Sequence, residues 1–141
     1  MLARAKLRDI GGWQAGRATG FNGAENTTVE LEETATGRFK LIVDSATWEL
    51  HTVVVADGTC AGYFRTFFGI DAGTEIFRER WRPDEPYDED DLGAVGERRE
   101  LPLPPELAER MLAGQFTVFA DSGGAHGGEY QHCGPLQPVA P

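Results

Sequence analysis

Residues 27–44 carry the feature that most narrows the fold, two runs of alternating apolar and polar side chains separated by a short turn. From Thr27 to Thr34, Val29 and Leu31 fall on one side and Glu30 and Glu32 on the other. From 39 to 44, Phe39, Leu41 and Val43 share a side. Side chains of an extended strand point alternately to its two faces, so a period of two with one apolar side reads as a strand half in water. Ala35-Thr36-Gly37-Arg38 between the runs supplies the turn. The pair is expected as an antiparallel hairpin with one wet face.

The pattern recurs along the chain. Ala3, Ala5 and Leu7 alternate with Arg4, Lys6 and Arg8, which predicts a strand with a narrow basic face. Val53-Val54-Val55-Ala56-Asp57-Gly58-Thr59-Cys60 contains Asp-Gly, a pair that accepts the positive φ of a two-residue hairpin turn. Strands near 49–56 and 59–69 are therefore expected to pair. Beyond them, Asp71-Ala72-Gly73 leads into a further strand from Glu75 to Trp81. Tyr63, Phe64, Phe67 and Phe68, with Trp48 and Trp81, supply large apolar area for a core.

One segment, residues 105–113, reads as a helix. Pro105 suits a first turn, Leu107 and Met111 share a face with Ala108 and Leu112, and Gly114 suits a left-handed position past the end. A strand from Gln115 to Ala120 follows. Many short strands with one late helix predict a mainly β fold, an antiparallel β-sandwich or a curled sheet or barrel with one short helix near 105–113. Residues 1–134 are expected to form one domain, and the Pro-rich 135–141 an extended tail.

The composition suits a globular chain, with 141 residues, 40% hydrophobic and 26% charged. No apolar run approaches the roughly 18 residues of a membrane helix, and the N-terminal stretch lacks the apolar core of a signal peptide. A cytoplasmic address is expected on that ground, and a bacterial source is suggested by 11 Arg against 2 Lys. Cys60 and Cys133 are too few for a disulfide framework. Free buried thiols are expected, with a single bridge left open. A formal net charge of -10 argues against direct binding to nucleic acid, because phosphates would be repelled, and in favour of a basic protein partner.

Gly-Gly-Ala-His-Gly-Gly-Glu-Tyr-Gln-His-Cys-Gly, residues 123–134, gathers residue types that bind metals or do chemistry. A metal site would need His126, Glu129, His132 and Cys133, with His51 as a further ligand, to converge on one ion. The spacing matches no zinc pattern, and Gly123, Gly124, Gly127 and Gly128 favour a loop over a rigid platform. No metal or cofactor is expected. Cys133 with His132 as base would make a nucleophilic pair, but neighbours in an extended chain point apart. Phe119-Ala120-Asp121-Ser122-Gly123 resembles the Asp-Ser/Thr-Gly turn of aspartic proteases, which would give Asp121 a catalytic role. Phe68-Gly69-Ile70-Asp71-Ala72-Gly73-Thr74 is a looser echo of the same turn, but Ala72 and Gly124 stand where that family uses hydroxyl residues.

The strongest compositional anomaly is Asp84 to Asp91, with six acids in eight positions. An EF-hand alignment from Asp88 fails at Leu92 and at Arg99. The alternative reading is a recognition patch. Asp84, Glu85, Asp88, Glu89, Asp90 and Asp91 would pair with Arg or Lys clusters, and Tyr87 would give apolar anchoring area among them. Such a surface suits an inhibitor or immunity protein that plugs a basic active site.

Phe67-Phe68-Gly69-Ile70-Asp71-Ala72-Gly73-Thr74 resembles a short stretch of an uncharacterised family of bacterial β-rich proteins suspected of immunity roles, and the resemblance implies the same kind of function. The preferred expectation is therefore a non-enzymatic acidic binding protein, its oligomeric state open. The alternative is a small β-barrel or sandwich enzyme or ligand-binding protein. It would have an aromatic-lined pocket from Trp48, Tyr63, Phe64, Phe67 and Trp81, with His126, His132 or Asp121 at its mouth.

Overall fold

In the computed structural model, residues 1–14, 17–19, 25–45, 49–60, 73–80, 97–123 and 129–139 are described. They form nine strands and one helix. The strands are β1 (Ala3–Gln14), β2 (Arg17–Thr19), β3 (Glu25–Ala35), β4 (Arg38–Ser45), β5 (Glu49–Ala56), β6 (Glu75–Arg80), β7 (Glu97–Leu103), β8 (Phe116–Gly123) and β9 (Glu129–Pro138). The helix α1 (Pro105–Ala113) lies between β7 and β8. All strand pairs among the described residues are antiparallel and belong to one sheet in the order β6-β5-β8-β9-β1-β3-β4-β7, with β2 paired to β1 beside that path. Of the architectures the sequence allows, the chain takes the curled sheet, a half-barrel that carries the short helix α1.

The hairpin of β3 and β4 forms as the alternation requires. Val29 pairs with Val43 and Leu31 with Leu41, and all four are fully buried. Gly37, with φ of +76°, takes the left-handed position of the turn, where a side chain would be strained. On β1, Ala3, Ala5 and Leu7 go into the same core while Arg4, Lys6 and Arg8 point to the other face. We call the face carrying α1 the inner face. Ala108 and Met111 of the helix bury against it, together with Val53, Val55, Val118, Ala120 and Leu136. Each large aliphatic side chain removed from water there is worth about 1.5–3 kcal/mol before the entropy of ordering it is subtracted.

The expected Asp-Gly hairpin does not form. β5 pairs with β8 along one edge and with β6 along the other, so residues 53–56 have no edge left for a strand at 59–69. Asp57 instead closes a longer connection. Its N–H donates to the Thr74 carbonyl at 3.2 Å, and its carboxylate accepts from the Thr74 N–H at 2.6 Å. Gly114 also departs from expectation. It is extended, with φ of -107°, and its N–H donates to the Arg110 carbonyl.

The Pro-rich end is not a tail as far as Pro138. Residues 135–138 belong to β9, between β8 and β1, where Thr117 pairs with Pro135, Phe116 with Leu136, Arg4 with Gln137 and Ala3 with Pro138. Proline removes a ladder donor, which is why such a run reads as unpaired. Leu136 compensates by entering the core. Gly134 permits the close approach of β9 to β1, since a Cβ there would stand 2.2 Å from the Lys6 carbonyl oxygen.

Candidate functional site

The outer face of β1, β3, β4 and β7 is a ladder of charge. Arg4 faces Glu30 across the β1–β3 pair, with Nε 3.4 Å from the carboxylate. Lys40 of β4 reaches diagonally to Glu100 of β7 at 3.0 Å, and Arg98 meets the same carboxylate at 2.8 Å. Hydrogen bonds from Lys40 first and Arg98 second hold the Glu100 carboxyl below its ordinary range. Such exposed pairs add little stability, because water already solvates both partners. Their charge disfavours burial of this sheet face against apolar surfaces.

Along the β9 side of β1 the ladder gives way to a groove of about 490 Å³. Arg4, Lys6 and Arg8 line one wall, with Glu25 at its end. Pro135, Gln137, Pro138 and Val139 form the other. The basic face of β1 was legible as alternation. Its opposite wall was not, because it comes from the segment that reads as a tail.

A second groove of about 470 Å³ lies beside the β3–β4 turn and the end of β7, lined by residues including Arg38, Phe39, Lys40 and Pro102.

The histidine and cysteine of β9 are set apart by the strand itself. His132 is opposite Ala120, on the inner face, and is 1% exposed. Cys133 is opposite Phe119, on the outer face, in a cluster with Val54 and Ala56. Its sulfur is bonded to Cys60. The expectation of free thiols is thus corrected, and the bridge joins positions 73 residues apart. A disulfide sulfur is neither a thiolate ligand nor a nucleophile, so Cys133 can neither join His126, Glu129 and His132 as a metal ligand nor act as the nucleophile of a Cys133–His132 pair.

Asp121 is half-buried on β8 between Thr52 and Gln131, and alternation puts it on the face opposite to His132. The two do not meet at one mouth. Among the described residues, no group of three or more His, Cys, Asp or Glu could hold a metal ion.

Glu129 and His51 lie in β9 and β5. His126, the acid run Asp84, Glu85, Tyr87, Asp88, Glu89, Asp90 and Asp91, and the aromatic residues Trp48, Tyr63, Phe64, Phe67 and Trp81 lie outside the described residues.

Fold and surface define an open antiparallel sheet, closed on one face by a short helix and pinned on the other by a disulfide. Among known proteins, no family model, no curated relative and no solved structure matches the chain. No helix among the described residues is long and apolar enough to cross a membrane.

Proposed function

We propose that this is a non-enzymatic binding protein that uses its acidic run to engage a basic protein partner, in the manner of an inhibitor or immunity protein. The observation that carries the reading is the charge distribution of the chain, with six acids in the eight positions from Asp84 to Asp91 and a net charge of -10. In sequence the run falls between β6 and β7, the strands at the two ends of the sheet order. Clustered carboxylates speed encounter with a cationic surface and select against acidic competitors. Tyr87 adds apolar area that can be desolvated at the centre of such a contact. The short stretch from Phe67 to Thr74, with its resemblance to proteins suspected of immunity roles, points the same way. The enzyme alternative is weaker because Cys133 is committed to a bridge and Asp121 and His132 face apart.

The Cys60–Cys133 bond favours an oxidising compartment over the cytoplasm as the place of work, since cytosolic thiols are kept reduced.

The test compares capture of a basic partner by the parent and by a variant with all six acids of 84–91 changed to their amides. A second variant with Glu30, Glu32 and Glu33 changed to Gln alters charge on the sheet instead. Loss of the partner with the first and retention with the second is the expected result. Equal loss in both would reduce the effect to net charge, and retention in both would remove the acid run from the interface.

A further inference from the structure

A chain of net charge -10 presents three cations in a row on one strand, beside a groove. Arg4, Lys6 and Arg8 stand at alternate positions of β1 and so share its outer face, about 6.7 Å apart in sequence and about 13 Å from first to last. Arg4 is partly engaged by Glu30 at 3.4 Å. No ion pair joins Lys6 or Arg8 to another described residue. The other wall, from Pro135 to Val139, offers two prolines without N–H donors, the amide of Gln137 and the apolar side of Val139.

We propose that this groove docks a short acidic peptide in extended conformation, with carboxylates at alternate residues meeting the β1 cations. The proposal is independent of the acid run, which concerns the opposite charge on other residues. Three features select this occupant. An extended peptide repeats its same-side carboxylates every two residues, at the spacing of the cations themselves. A single phosphate or sulfate would meet only one or two of the three, because they form a row and do not converge on a point. A long polyanion such as nucleic acid would extend beyond the row of cations, past Glu25 in the lining and Glu30 beside Arg4, and would meet the repulsion of the remaining negative surface. The recognition chemistry is charge-assisted hydrogen bonding from ammonium and guanidinium to carboxylate, against a wall where Pro135, Pro138 and Val139 provide packing and the Gln137 amide adds a neutral donor.

The experiment is calorimetric titration of the oxidised, full chain at about 0.1 M salt, where the Debye length is about 10 Å, with a capped Glu-Ala-Glu-Ala-Glu peptide. Saturable one-to-one binding is expected. Lys6→Glu should weaken it at least about 10-fold, because a like charge replaces an attractive one in the contact. Arg38→Glu, at the β3–β4 turn, changes the net charge equally and should leave binding within about two-fold, because at a distance the effect is screened by salt. Both positions are exposed, so matching thermal transitions will show that the fold is retained.

A peptide with the same three glutamates placed consecutively should bind several-fold more weakly, since its carboxylates alternate between faces. The proposal is overturned by absence of binding, by equal affinity for the two peptides, by equal weakening in the two variants, by displacement with inorganic phosphate at equal charge, or by tighter binding of an oligothymidylate.

Discussion

Two regions of the same sheet solve the burial problem differently. In β3 and β4 one face is core and the other is water, and the sequence alternates accordingly, with Val29 and Leu31 at zero exposure and Glu30 and Glu32 between and beyond them. In β5, Val53, Val54, Val55 and Ala56 are all at zero exposure. Val53 and Val55 join the inner core, whereas Val54 and Ala56 join a separate cluster on the outer face with Phe119 and Cys133. A strand covered on both sides needs an unbroken apolar run, and a strand covered on one side needs alternation. The outer cluster is small, and the disulfide sits within it. The charged half of the outer face relies on ion pairs that water weakens, and the apolar half on packing and a covalent bond.

That contrast can be broken at several points. The largest effect is expected from Phe119→Ala, which empties the centre of the outer cluster and should cost about 3–5 kcal/mol in denaturant unfolding. A loss below about 1 kcal/mol, the centre of the usual distribution for substitutions, would mean that this face is no packed core. Replacing both cysteines by serine, or reducing the bridge, should cost roughly 4 kcal/mol by the loop-entropy relation for a separation of this size. The melting temperature with and without dithiothreitol reads this directly. An unchanged value would show that packing alone holds the outer cluster.

Gly134→Ala tests the seam between the two halves. The new methyl collides with the Lys6 backbone, so β1 and β9 must separate, at a cost of about 1–3 kcal/mol. Hydrogen exchange should speed first in those two strands. On the wet half, Glu30→Ala removes the partner of Arg4 and should cost only about 0.2–1 kcal/mol. A larger value would make the ion-pair ladder structural.

The smallest effect is the pH dependence of the exposed pairs. The Glu75 carboxyl is held below its ordinary range chiefly by the hydrogen bond from Arg78, and Glu100 by those from Lys40 and Arg98. For a carboxyl whose folded value is lowered, the stabilisation is complete above the unfolded value and is lost as pH falls through the folded one. Stability should therefore decline modestly below about pH 4.3, the ordinary Glu value, and less steeply in high salt. A rise in stability over that interval would contradict the assignment of both pairs.

Local pattern carried the hairpin of β3 and β4 because two constraints agreed. Alternation fixed which residues face inward, and Gly37 fixed where the chain turns, so the register had no freedom left. The helix was legible for the same reason, from Pro105 at its start and Ala108 and Met111 on its buried face. The Asp-Gly signal failed because a turn propensity is worth less than the pairing of a whole strand edge, and β6 and β8 take both edges of β5. Of the residues singled out for function, Arg4, Lys6 and Arg8 were already recognisable as one basic face, but a face becomes a groove only when β9 supplies the other wall. His132 and Cys133, adjacent in sequence and suggestive there, are separated by the pleat to opposite sides of the sheet.

By itself the sequence determined the class of the fold, the inward and outward faces of its alternating strands, the helix at 105–113 and the excess of negative charge, because each follows from neighbours within a few residues. Only the tertiary structure decided that the proline-rich end lies between β8 and β1, that Cys60 meets Cys133, and that the basic strand borders a groove. Those outcomes depend on which distant segments share an edge, and strand edges carry no address in the local pattern, only a common demand for a hydrogen-bonded partner.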